Sequence, residues 1–250
     1  MNKELYIDIY KKFCKLAATD ESIFKVFKSH PEYVPMLEHL DEKQGLEYLM
    51  VIKEKYSQLF DKLNQFRGND AVGSPNRYEY GETGLISPTT LRYVKMLGDM
   101  IEMYETFENE TIIELGGGYG GQCKIISDVF AYKNYTIVDL PEVVGLINRC
   151  LKINNVPNAK AITLEELTDN TWDMFISNYA FTELAASLQR TYIERVINQC
   201  DHGYITCNFC GNPAETISLT KEELLKEIKH HCIELDEIPK THPNNCLLVW

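Results

Sequence analysis

No run of about eighteen apolar residues occurs in this chain, so no segment reads as a membrane-spanning helix. A positively charged start leading into an apolar stretch is also missing, so no leader is expected, and a cytoplasmic location is. Basic charge is scarce: Lys and Arg number 25 against 37 Asp and Glu, a formal net charge of -12. A field of that sign repels phosphate backbones, and no basic cluster offsets it, which argues against a nucleic-acid partner. No carboxylate cluster of the kind that holds a catalytic divalent ion stands out, so no metal site is expected. Internal repeats and low-complexity segments are missing as well.

Eight cysteines are present, yet a chain of 250 residues buries a sizeable core without disulfide staples. Cys14, Cys123, Cys150 and Cys200 fall in apolar patterns read as helical, where a thiol is a small buried hydrophobe. Cys207 and Cys210 form a lone Cys-x-x-Cys. A zinc site needs two more ligands, for which Cys232, Cys246, His230 and His231 are only nominal candidates. A strand and the turn after it is the preferred reading of that pair.

The apolar patterning divides the chain into three regions. Residues 1–67 read as an N-terminal helical cap region, with Leu5, Ile9, Phe13 and Leu16, then Leu46, Leu49, Ile52, Tyr56 and Leu59, near helical spacing. Residues 68–108 read as a glycine-rich loop crossing the cleft, or a plain linker, followed by a helix. Ser87 is placed to cap that helix, Pro88 suits its first position and Ile86 its staple contact. Arg92 and Tyr93, in its first turns, are candidate cofactor or substrate contacts. Residues 109–250 alternate strand and helix. Strands are expected at 111–115, 134–138, 159–162, 172–177, 202–208, 232–237 and 245–250. Helices are expected near 121–130, 141–154, 184–199 and 220–230.

The densest information lies in Thr111-Ile112-Ile113-Glu114-Leu115-Gly116-Gly117-Gly118-Tyr119-Gly120-Gly121. An apolar run ends in an acid, enters a glycine cluster, and continues into a helical pattern with Gln122 at its start. That is a strand, a tight turn and a helix N-terminus, where backbone can approach a bound nucleotide. Asp139 ends the next strand, suitably spaced to accept hydrogen bonds from ribose hydroxyls. The glycines run E-x-G-x-G-x-G rather than G-x-G-x-x-G, and Glu114 would repel a pyrophosphate, which disfavours a dinucleotide.

This segment resembles motif I of the class I S-adenosylmethionine-dependent methyltransferases. The resemblance narrows with Ile86-Ser87-Pro88-Thr89-Thr90-Leu91-Arg92-Tyr93, Asp139-Leu140-Pro141, Ser177-Asn178-Tyr179-Ala180-Phe181 and Thr241-His242-Pro243-Asn244-Asn245. Together these look like a bacterial sugar O-methyltransferase family, from roughly residue 70 to the end. It implies an α/β fold, a Rossmann-like seven-stranded class I methyltransferase sheet whose last strand runs antiparallel, with the N-terminal helical region beside it. It also implies S-adenosyl-L-methionine as cofactor, S-adenosyl-L-homocysteine as product, and a sugar or glycan acceptor, as in surface polysaccharide biosynthesis. The cofactor-binding residues would be Arg92, Glu114, Gly116, Gly117, Gly118, Tyr119, Gln122, Asp139, Leu140, Ser177 and Asn178.

Methyl transfer to a hydroxyl is an in-line displacement that benefits from a base. In open α/β sheets the reacting groups follow the carboxyl ends of the strands. That rule puts His202 on the wrong side and His230 and His231 at a helix end, and it favours His242 in the turn before the last strand. Asn178, Tyr179 and Glu183 follow the fourth strand and are the other catalytic candidates; Asn208 and Asn212 are weaker ones. Turn chemistry for His242 and first-turn electrostatics for Glu183 are the bland alternatives. A homodimer is the expected assembly. Two further functions stay open: an O-methyltransferase of another small molecule, such as an aromatic or polyketide hydroxyl, and a noncatalytic cofactor-binding partner protein.

Overall fold

A computed structural model describes residues 3–168, 170–209 and 218–250. Its centre is a seven-stranded sheet of β1 (Thr111–Leu115), β2 (Asn134–Val138), β3 (Ala159–Ile162), β4 (Trp172–Asn178), β5 (Cys200–Asn208), β6 (Ile233–Asp236) and β7 (Asn245–Val249). The spatial order is β3-β2-β1-β4-β5-β7-β6. Strands β1 to β5 pair in parallel, and β7 is antiparallel to both β5 and β6. The strand order reverses at β1, between β2 and β4, which creates a crevice beyond the carboxyl ends of β1 and β4.

Among the described residues seven longer helices surround the sheet: α1 (Lys3–Thr19), α2 (Glu42–Lys55), α3 (Pro88–Tyr104), α4 (Gly121–Ser127), α5 (Pro141–Ile153), α6 (Ala186–Arg195) and α7 (Lys221–Glu227). Short helical turns and a two-stranded ribbon, Tyr78–Glu79 with Leu85–Ile86, fill the first 90 residues. The α3 start follows the expected chemistry: Pro88 opens the helix and the Ser87 hydroxyl accepts the Thr90 amide at 3.1 Å. The Asp70 carboxylate in turn accepts the Ser87 amide at 2.7 Å, anchoring the glycine-rich stretch to that cap.

Alternation along the strands sorts two cores. Ile112, Tyr135, Ile137, Met174, Ile176 and Tyr204 pack with α1 to α5, so the N-terminal region shares one core with this sheet face. Ile113, Leu115, Val138, Phe175, Ile205 and Leu248 pack with α6 and α7 on the other face. Helix α1 lies on α5, where Ala18 meets Gly145. Arg149 of α5 donates to the carbonyls of Ala17 and Ala18 at 3.2 Å, closing the α1 C-terminus, and its guanidinium sits 3.8 Å over the Phe24 ring.

Cys200 departs from its expected helical place: it is buried but opens β5. The apolar run before it ends in a turn at Ile197–Gln199, after which the chain extends to pair with β4. Helices α4 and α7 are also shorter than their apolar patterns, ending at Ser127 and Glu227. Cys207 pairs with Cys246 across β5 and β7, and Cys210 lies outside the described residues. Among the described residues no helix is long and apolar enough to cross a membrane.

Candidate active site

Strand β1 delivers its acid and glycines to the crevice. Gly116 has φ +76°, and a Cβ there would lie 2.2 Å from the Ala180 methyl after β4. Gly118 has φ +64°, and a Cβ would meet the Leu37 side chain at 2.9 Å. Both positions demand glycine for conformation and for closeness. Gly118 donates its amide to Asp139 at 3.3 Å, so the two strand tips are bridged by a carboxylate.

Glu114 is 2% exposed and accepts one hydrogen bond, from the Tyr135 hydroxyl at 2.9 Å. Burial pushes its carboxyl up to about 8, against the Tyr135 hydrogen bond and with a contribution from Asp139. Asp139 also accepts the Leu140 amide at 2.7 Å. Burial raises it to about 6, opposed by the amides of Leu140, Gly118 and Gly117.

The other residues expected to bind the cofactor flank this loop. Tyr119 is tied into the N-terminal region: its hydroxyl accepts from Asn69 at 3.0 Å and the Lys28 ammonium lies 3.7 Å above its ring. Gln122 is fully buried, donates to the Tyr93 carbonyl at 3.3 Å, and keeps Oε1 without a partner. Arg92 is 5% exposed and donates one Nη to the Leu37 carbonyl at 3.2 Å, while its Nε is unpartnered. Its guanidinium carbon lies 5.9 Å from the Tyr179 ring centre. Ser177 ties β4 to β1, donating to the Leu115 carbonyl at 3.1 Å and accepting the Phe181 amide at 3.1 Å.

Beyond β4, Asn178 accepts from the Thr206 hydroxyl at 3.2 Å and leaves its Nδ2 unpartnered. Tyr179 takes a left-handed backbone, φ 68°, and its hydroxyl donates to Glu237. Glu237 is buried and also accepts the Thr241 amide at 2.8 Å and its hydroxyl at 2.7 Å. The turn before β7 is thereby held against the β4 tip. Glu183 is exposed and accepts from Asn208 at 2.6 Å. His242 is half-buried, and its Nδ1 accepts the Asn244 amide at 3.2 Å. In the neutral ring the proton therefore resides on Nε2. No hydrogen bond joins His242 to Glu183 or Asn178 among the described residues, and Asn212 lies outside them.

His202 and His230 follow the strand-end rule. His202 lies near the β5 start, with its ring 5.3 Å from Tyr104, and His230 stacks on Trp250. Glu38 and Glu237 escaped the sequence reading. Glu237 sits five residues before His242 in the same turn, which was a usable signal. Glu38 sits in a short segment without periodicity, and nothing local marks it.

No model of a known protein family matches the chain. A phosphoethanolamine N-methyltransferase of Plasmodium falciparum (isolate 3D7) is 22% identical over 162 residues, covering 63% of this chain and 59% of that relative's length. A solved S-adenosylmethionine-dependent methyltransferase from Clostridium acetobutylicum ATCC 824 is 12% identical with a TM-score of 0.46, covering 62% of this chain and 87% of that one. The mitomycin 7-O-methyltransferase MmcR is 12% identical with a TM-score of 0.45, covering 64% and 56%.

Proposed function

We propose that the protein transfers a methyl group from S-adenosylmethionine to a hydroxyl of a sugar or glycan intermediate. The observation that carries the donor half is Glu114, a buried acid with one hydrogen bond, beside a loop whose left-handed glycines admit no side chain. The residues fit this cofactor. Asp139 offers a carboxylate to ribose hydroxyls, Glu114 favours a cation, and the unpartnered atoms of Arg92, Gln122 and Asn178 supply both donors and acceptors. When bound, the cofactor supplies a methyl group on a cationic sulfur, open to displacement by an oxygen nucleophile.

The chain's own residues supply alignment and proton handling. Asn178 and Tyr179 stand at the carboxyl end of β4, beside the crevice, and Glu237 fixes the Tyr179 ring. An acceptor hydroxyl loses its proton as the new bond forms. Glu183 is a carboxylate at the crevice mouth suited to take it, and His242 does so once its Nδ1 releases the Asn244 amide.

Calorimetry with S-adenosylmethionine, S-adenosylhomocysteine and NAD tests the donor half; binding of NAD alone would end the reading. Mass-detected methylation across nucleotide sugars and aromatic hydroxyls tests the acceptor half. The second reading is another small-molecule hydroxyl: Tyr48, Met96 and Tyr179 line a small cavity, which Lys95, Thr206 and Glu237 complete with polar groups. Methylation confined to the aromatic panel would establish it.

A further inference from the structure

We infer that Glu38 and Arg92 form a two-ended clamp for the α-amino-acid terminus of the donor, Glu38 taking the ammonium and Arg92 the carboxylate. The inference rests on the adenosyl reading above and adds to it a residue from the N-terminal region. Glu38 is 6% exposed and Arg92 5% exposed, and each keeps a polar atom, Oε1 and Nε respectively, without a partner. Burying charged groups with unmade hydrogen bonds is costly, so a pair of them marks places for counter-groups.

Glu38 feels Lys28 most and Arg92 less, and its side chain bonds Thr89, yet no ion pair within 4.0 Å joins it to either cation among the described residues. A zwitterion answers Glu38 and Arg92 at once, which neither a simple anion nor a simple cation does. Neighbouring charges are already engaged. Lys28 donates to the Asn69 carbonyl at 2.7 Å, and Asp70 accepts from Ser87 and Thr90. The chain neighbour of each residue touches the loop. Leu37, beside Glu38, abuts Gly118, and Tyr93, beside Arg92, abuts Gly121 and accepts from Gln122. The Leu37 carbonyl receives the Arg92 Nη, so one short segment both contacts the loop and orients the guanidinium.

The test compares S-adenosylhomocysteine with 5′-methylthioadenosine, which keeps the adenosine thioether and lacks the amino-acid end. Calorimetry on the full chain should give the former at least about 10-fold tighter binding. Glu38→Gln and Arg92→Gln should each weaken S-adenosylhomocysteine by about 10- to 100-fold and leave methylthioadenosine within about twofold. Equal losses for both ligands, or no loss, overturn the clamp; two variants guard against one that fails to fold. If the folded wild type binds neither ligand, the adenosyl reading fails and the clamp with it. If it binds both equally, the clamp alone fails.

Discussion

At the tips of β1 and β2, Glu114 is buried and Asp139 half-buried, whereas beyond β4 and β5 the Glu183 carboxylate is exposed and bonds Asn208. Glu114 has a single hydroxyl partner and Asp139 two backbone amides, and burial raises both. Across the crevice, Glu183 pairs with Asn208 and His242 with Asn244 at accessible positions. A desolvated acid that keeps its proton near neutral pH releases it when a cation arrives to take its place. A solvated one is free to exchange protons with whatever binds. On the function proposed above, the β1–β2 side would hold the donor and the Glu183 side would handle the acceptor proton.

The largest expected effect breaks that contrast through Glu114. Its folded carboxyl holds a proton up to about 8, whereas the unfolded chain releases it near the ordinary value of 4.5. Between those pH values the folded state binds more protons, so this group erodes stability as pH rises and its full cost stands above 8. Glu114→Gln should therefore be more stable than wild type at pH 9 by on the order of 4 kcal/mol, with the gap closing toward pH 4.5. Urea denaturation at both ends of that range is the measurement, and a constant difference would remove the burial argument.

Next, Asp139→Ala should weaken S-adenosylhomocysteine by about 10²-fold, because a charged acceptor of two hydroxyls is lost. Glu183→Ala should leave that affinity within about twofold. Comparable losses from both variants would erase the division between the sides. On the rate axis, His242→Ala should lower methyl transfer by up to about 10²-fold while donor affinity holds. An unchanged rate passes the base role to Glu183. The smallest effect sharpens the contrast: Glu183→Gln, at an exposed site, should change folding stability by no more than about 0.5 kcal/mol.

The β1–β2 side was the legible half. A strand, an acid and a glycine loop are contiguous in sequence, and Asp139 follows one strand later, so local pattern sufficed to assemble Glu114, Gly116, Gly118 and Asp139. The α3 start was equally plain, since Ser87 and Pro88 act on their own helix. What was hidden depends on contacts between distant segments. Glu38 gains meaning only because Leu37 meets Gly118, 81 positions on, and Glu237 only because Tyr179 reaches it. Cys200 was misread because an apolar stretch carries one periodicity until the partner strand imposes another.

The seating of α1 on α5 has a consequence for biosynthesis. Arg149, which closes the α1 C-terminus, lies 131 residues after Ala18. A ribosome adding roughly 5–20 residues per second leaves α1 without its apolar neighbour or its cap for on the order of ten seconds. During that interval Cys14 and Ala17, both buried in the finished protein, lack the cover of α5, while Phe13 can already stack on His30. Helix α1 thus waits for α5, and nascent chains of this protein should depend on holdase chaperones most strongly before residue 153 has emerged.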